Sequence, residues 1–367
     1  MPDSVRFNEF VREPASLRAA QLDAVRSVMD SGWYVLGQNV SSFENEWSAR
    51  CQSSGCAGVA SGLDALEIGL RVLEVGPGDE VITTPLTAYA TVLAIQRVGA
   101  TPVFADIDPS TACICPESVR SCISAKTKAV IVVHLYGRAA DMRSLSEICT
   151  TNGIDLVEDC AQAHLSQYEG QPVGSFGKYA AWSFYPTKNL GAIGDAGAIT
   201  SNDPDLILSA RQFRNYGQSD RYHHVVAGQN SRLDELQAAI LLVRLAYLDA
   251  WTDSRRNIAA KYWTNIKNSK IRMLSRPINE SQHVYHLFVV CVSDRDHFMQ
   301  HLAEYNVQSL IHYPVPAHEQ GAIGSHKISP HGLKFALSHS QTCVSLPIHP
   351  FMTNSEIERV IIACNSW

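Results

Sequence analysis

The stretch SFYPTKNLGAIGDAGAIT, residues 183–200, places Lys188 just after an apolar run and ahead of Gly191, Gly194 and Gly197. An amine at a strand end in apolar, glycine-rich company is desolvated and its pKa falls. The neutral amine can then form a Schiff base with an aldehyde cofactor. A loop lysine is also read as an ordinary solvated surface group. Upstream, DLVEDCAQAH at residues 155–164 ends an apolar run at Glu158 and Asp159, and open α/β sheets hold ligands at such strand ends. A carboxylate there can keep a pyridine nitrogen protonated, the condition under which pyridoxal phosphate (PLP) acts as an electron sink. The bland reading is that Asp159 caps the next helix, with Gln162 in the capping-box position. A third requirement is a seat for phosphate. The segment Ser61–Gly62–Leu63–Asp64 opens an amphipathic pattern, where free amides and the helix dipole suit an anion and where Ser61 or Asp64 could equally be a plain cap. The glycines after Lys188 are spaced GxxGxxG, not GxGxxG, and Pro172 stands where a P-loop ending in Gly177–Lys178 needs glycine.

These residues need a sheet to hold them. Strand candidates are Glu80–Thr84, Thr101–Ile107, Ala129–Leu135, Asp155–Cys160, Tyr179–Tyr185 and Gly197–Ser201, alternating with helical patterns. In one of these, Leu63, Leu66, Leu70 and Leu73 share a face; Ala88–Val98 and Met142–Thr151 read similarly. Alternation of this kind predicts an α/β layer on a mostly parallel sheet. One long helix is expected from about Arg232 to Trp251. Beyond it HLFVVCV reads as a strand, DRDHFMQHLAEYN as a helix, VQSLIHY as a strand and SEIERVIIACN as a final helix. The expected division is an N-terminal segment 1–20, a large domain 21–250 and a smaller α/β domain 251–367.

Composition narrows the function classes. The chain has 367 residues, 46% hydrophobic and 18% charged, so a sizeable core is expected. With 30 Lys plus Arg against 36 Asp plus Glu and no basic run, neither nucleic acid nor an anionic membrane surface is an expected partner. Nowhere do 18 apolar residues run together, and the start MPDSVRFNEFVREP does not resemble a signal peptide. Ten scattered cysteines without a CxxC pair suggest neither a disulfide scaffold nor a metal site. Reduced thiols in the cytoplasm are the simplest expectation.

SGLDAL, GDEVITTP, PVFADIDP, VHLYG, EDCAQAH, SFYPTKNLGAIGDAGAIT, RNYG, GQNSRLDELQAAIL and IHYPVPAH follow in one order across nearly the whole chain. Together they resemble the DegT/StrS-type nucleotide-sugar aminotransferases, PLP-dependent transferases of the aspartate-aminotransferase fold (fold type I). The resemblance implies a large three-layer α/β domain with a smaller C-terminal α/β domain, in a homodimer with shared active sites. It implies Lys188 as the Schiff-base lysine and Asp159 as the partner of the pyridinium nitrogen. Gln162 would lie on the phenolic side of the cofactor, with Gly62 and Leu63 giving amides and Ser183 a hydroxyl to its phosphate. Asn230 would reach that phosphate from the partner subunit, and Tyr185, Arg232, His312 and Tyr313 would line the sugar-nucleotide pocket. Two positions depart from the pattern. Leu63 stands where many members carry Thr, and Ala88 where many carry an aromatic residue over the cofactor ring, which makes the next residue, Tyr89, the candidate for that place. A dehydratase branch replaces the lysine with histidine, so the retained Lys188 implies transamination.

The implied amino donor is glutamate. DSGWYVLG and SGLDAL look most like members acting at C3 of dTDP-3-keto-6-deoxyhexoses; C4 amination of UDP- or GDP-linked keto-sugars is the alternative. From other classes, a nicotinamide-dependent oxidoreductase would explain the α/β alternation but lacks its GxGxxG turn. A non-catalytic PLP-binding regulatory protein would usually carry a DNA-binding module, for which there is neither spare length nor basic charge.

Overall fold

The computed structural model of the chain describes residues 4–367. Its main sheet has eight strands in the order Gly55–Val59, Gly197–Ser201, Tyr179–Ser183, Asp155–Asp159, Thr127–Val133, Glu80–Thr83, Thr101–Phe104, Lys327–Ile328. Gly197–Ser201 runs antiparallel to both neighbours, and the other pairs are parallel. The central strands are buried along nearly their whole length because both faces are covered. Ala129 and Ile131 pack with Leu66, Ile68 and Ile95 on one side, while Val130 and Val132 pack with Leu145 and Ile148 on the other. Under Tyr179–Ser183 the same alternation sends Trp182 toward Phe43 and Trp47, three rings in edge-on and stacked contact. The result is three layers, helix, sheet and helix, as expected from the alternating pattern.

The C-terminal part has its own antiparallel sheet, Arg272–Met273, Phe288–Cys291 and Cys343–Leu346. Helices Arg295–Glu304 and Asn354–Asn365 supply Phe298, Leu302, Ile357 and Val360 to a second core. The run 307–313, expected to be a strand, forms no continuous ladder. Its amides are divided between two partners: Gln308 N donates to Val5 O, and Leu310 exchanges both bonds with Ser345. The expected long helix is also different. It begins at Glu235, stops at Leu245, and a second helix runs from Leu248 to Asn265. At the break Tyr247 N donates to Arg244 O, a tightened turn, while Arg244 pairs with Glu13 and stacks on Trp251. The second helix spans both cores, with Leu248 in the first and Ile258, Ala259 and Tyr262 in the second. Among the described residues no helix is long and apolar enough to cross a membrane.

Candidate active site

Asp159 and Ser183 close the C-terminal ends of two adjacent parallel strands. After Ser183 the chain turns back on itself. Lys188 N donates to Tyr185 O at 2.8 Å and Ala192 N to Phe184 O at 2.7 Å, a turn so tight that a Cβ on Gly191 would lie 2.4 Å from Pro186 O. Lys188 is thereby held on this turn, and its Nζ makes no hydrogen bond or ion pair among the described residues. Burial of an amine without a partner lowers its pKa to about 8, a fall that the Asp159 charge partly opposes. Lys188 keeps some accessible surface, while the atoms packed around it still remove most of its solvent.

Asp159 is 6% exposed. Its Oδ2 accepts from Thr91 Oγ1 at 2.8 Å and its Oδ1 from the Ala161 amide at 3.1 Å. Thr91 Oγ1 is paired with Thr87 Oγ1 at 2.8 Å, and since Thr91 donates to the carboxylate, Thr87 is the donor in that pair. Burial raises the Asp159 pKa, against the pull of these donors and of Lys188. The bond to Ala161 closes a turn, and no helix directly follows Asp159, so the expectation that Asp159 caps a helix with Gln162 in its capping box is not met; Thr91 approaches from the helix Tyr89–Arg97. The backbone behind Asp159 is fixed by a buried pair. Glu158 accepts from the Gly174, Phe176 and Gly177 amides and from His134 Nε2. His134 Nδ1 accepts from Ala140 N, so the ring proton is on Nε2. With Cys160 these side chains are close enough to hold a metal ion, but the lone pairs of Glu158 and His134 are committed to protein donors.

The phosphate-seat candidate lies opposite. Ser61 Oγ caps Asp64 N at 3.1 Å, leaving the Gly62 and Leu63 amides at the helix start. A Cβ on Gly62 would lie 2.7 Å from Ser183 Cβ, so only glycine lets this helix end meet the strand end. The Leu63 side chain packs on the core, while its backbone amide, one of the unpaired amides of the helix start, lies outside that packing. Gln162 accepts from Tyr136 N at 2.6 Å and donates to Tyr313 Oη at 3.1 Å, which brings the 312–313 pair to the strand ends. Burial pushes the Tyr313 hydroxyl up to about 12. Burial and the Lys188 charge push His312 down to about 4, leaving it neutral. His312 is set by Ser345 Oγ at 2.8 Å and by stacking on Phe7.

The remaining candidates are placed elsewhere in the single chain. Tyr185 is 51% exposed at the rim. Tyr89 donates its hydroxyl to Gln96 and packs beside Phe104; no hydrogen bond or ring contact among the described residues joins it to Asp159 or Lys188. Asn230 is exposed. Its neighbour Arg232 is turned to Asn215 and the Tyr216 ring. The sequence did not reveal Thr87 and Thr91, whose i, i+4 spacing was the available signal, nor Tyr136.

A desolvated amine without a partner, a buried carboxylate and a glycine-bounded helix start meet at adjacent strand ends. The model of the DegT/DnrJ/EryC1/StrS aminotransferase family matches residues 15–365. The chain belongs to this aminotransferase family. It is 46% identical over 344 residues to dTDP-3-amino-3,6-dideoxy-alpha-D-galactopyranose transaminase of Aneurinibacillus thermoaerophilus, covering 94% of each chain. It is 41% identical to dTDP-3-amino-3,4,6-trideoxy-alpha-D-glucose transaminase of Streptomyces venezuelae, over 96% of this chain and 93% of that one. Among solved structures, S. venezuelae DesV in complex with a ketimine intermediate superposes with a TM-score of 0.95 at 40% identity, covering 99% and 98% of the two chains. NtdA of Bacillus subtilis, solved with bound cofactor PMP, gives 0.87 at 27% identity, covering 98% and 86%. The DegT/DnrJ/EryC1/StrS aminotransferases are PLP-dependent, and the residues described above suit that cofactor: an unpaired amine for its aldehyde, a carboxylate for its ring, and a cradle that a Cβ at Gly62 would fill.

Proposed function

We propose that this aminotransferase moves an amino group from glutamate onto C3 of a dTDP-linked 3-keto-6-deoxyhexose. The observation that carries the reading is the partnerless, desolvated Lys188 amine beside Asp159, in a chain whose more similar relatives are named for C3-aminated dTDP sugars. When bound, PLP supplies the electron sink for the carbon that exchanges its amine. Asp159 holds the ring nitrogen protonated, and the Thr87–Thr91 relay keeps its carboxylate aimed. The Gly62 and Leu63 amides and the Ser183 hydroxyl bind the phosphate, and Gln162 lies on the phenolic side. Lys188 Nζ, once free, takes the proton from the substrate carbon and returns it on the other side of the exchange. Tyr185, His312 and Tyr313 line the sugar site, His312 as a neutral hydrogen-bonding group.

Asn230 and Arg232 act, in this reading, in the site of a second copy. Support comes from the surface around them. Trp33, Tyr34 and Val35 are 63%, 51% and 40% exposed, and Val35 is bridged to Asp234, just past Asn230 and Arg232. Such a cluster of large apolar groups suits burial against another subunit. The test is to incubate the protein with glutamate and a panel of nucleotide keto-sugars and to identify the aminated product by mass and NMR. A C3-amino dTDP sugar is expected. Product only from UDP- or GDP-linked 4-keto-sugars would overturn the substrate assignment, and no product with any of them would overturn the reaction.

A further inference from the structure

His286 is 97 residues from Asn189 and belongs to none of the groups assigned above. Asn189 follows Lys188 directly and is 4% exposed. Its Nδ2 donates to Val284 O at 3.1 Å. A carbonyl can only accept, so the amide orientation is settled and Oδ1 faces His286 Nδ1 at 3.2 Å. That imidazole nitrogen must then carry the proton. Burial, followed by the charges of Lys188 and Arg255, holds His286 well below the usual histidine range, so the ring is neutral and Nε2 is a bare acceptor.

The segment bearing His286 is itself anchored. Val284 N donates to Gly137 O at 2.9 Å and Leu287 N to Tyr136 O at 3.2 Å. Arg255 Nη1 donates to the Tyr285 and His286 carbonyls at 3.1 and 3.3 Å. Tyr136 N in turn bonds Gln162, so this segment is tied to the same strand ends that carry Asp159. Lys188, by contrast, has no side-chain partner of its own and sits on a glycine-bounded turn.

We infer that His286 is a positioning residue for Lys188: through the side-chain amide of Asn189 it locks the lysine-bearing turn to the end of the strand Thr127–Val133. The inference rests on Lys188 being the cofactor-linked amine. A lysine that must both hold the cofactor and move a proton needs a fixed approach, and displacing it lowers turnover without weakening substrate binding.

The test uses the two nitrogens of the ring separately, in the PLP-loaded enzyme. His286→Asn places an amide nitrogen where Nδ1 was and keeps the bond to Asn189. His286→Gln places its amide near the Nε2 position and loses that bond, and His286→Phe loses both. His286→Asn should retain kcat within about twofold, whereas His286→Gln and His286→Phe should lose about tenfold in kcat with KM for the sugar nucleotide unchanged. The visible circular dichroism of the bound PLP, which reports its orientation, should be kept in the first variant and weakened in the other two. If His286→Gln is the active variant and His286→Asn the impaired one, the ring acts through Nε2 and the inference fails. It also fails if all three variants match wild type, or if their kcat losses merely follow their losses in unfolding temperature. Borohydride reduction and peptide mapping of the wild type separates this from its premise: a label away from Lys188 refutes the premise, whatever the variants do.

Discussion

If Lys188 is desolvated without a partner, its titration should be visible in the protein before any cofactor is added. At a pKa of about 8 rather than the ordinary 10.5, about 9% of the amine is neutral at pH 7 instead of about 0.03%, a gain of roughly 300-fold in the reactive form. The assay is trace acylation of the cofactor-free protein over a pH series, with the Lys188 peptide quantified by mass spectrometry and a free N-acetyl-lysine derivative added as internal reference. Labelling of Lys188 should rise with a midpoint near pH 8 and level off above it, while that of the free lysine derivative continues to climb. A second perturbation fixes the cause. The Asp159 charge holds the Lys188 pKa up against burial, so Asp159→Asn should move the Lys188 midpoint further down. Refutation would be a Lys188 midpoint at the ordinary lysine value of 10.5, or one that rises on removal of the Asp159 charge. Either result would mean that the amine is solvated and that its reactivity has another origin.

Asp159→Asn should also lower turnover by at least about 10- to 100-fold, the equivalent of a charge-assisted hydrogen bond of about 1.5–3 kcal/mol. Urea unfolding should show little change; wild-type turnover with PLP still bound would leave Asp159 only its structural bonds to Thr91 and the Ala161 turn. Mixing two inactive variants, Lys188→Ala and Asn230→Asp, should restore activity in differently tagged hybrids, because one site of each hybrid then has both residues. Hybrids that form and stay inactive would place Asn230 in its own subunit or away from the phosphate. Away from the site, Glu235 is 1% exposed and accepts from Gly37 N, Val40 N, and Asn39 N and Nδ2. Glu235→Ala should cost about 3 kcal/mol by leaving several of these donors unpaired, measured by urea unfolding at unchanged m, and a loss below about 1 kcal/mol would show that water replaces the carboxylate.

The parallel core was legible because strands buried on both faces have little polar alternation to misread: residues 129–133 are a continuous apolar run, and Leu156 and Val157 lead into the polar strand end Glu158–Asp159. Gly55–Val59 was not legible. Its sequence GCAGV has poor strand propensity, and its reason lies in packing, since a Cβ on Gly58 would meet Leu233 at 2.9 Å. The helix break at 246–247 escaped the periodicity because the apolar face continues through it, and Arg244 beside it finds its partner Glu13 at a separation of 231 residues. The same distinction holds in the site. Lys188, Asp159 and the Gly62 turn announced themselves through local composition. Thr91 and His286 did not, because a threonine early in a helix and a histidine before a strand acquire their partners only when the chain folds, at separations of 68 and 97 residues.

The covalent role of Lys188 is tested most directly by reducing the PLP-loaded protein with borohydride, digesting it and mapping the labelled peptide. A single label on Lys188 is expected, together with its absence from Lys188→Ala, which should still take up PLP without forming the covalent link. A label on Lys178, or on any other lysine of the wild type, would contradict the assignment on which the proposed chemistry stands.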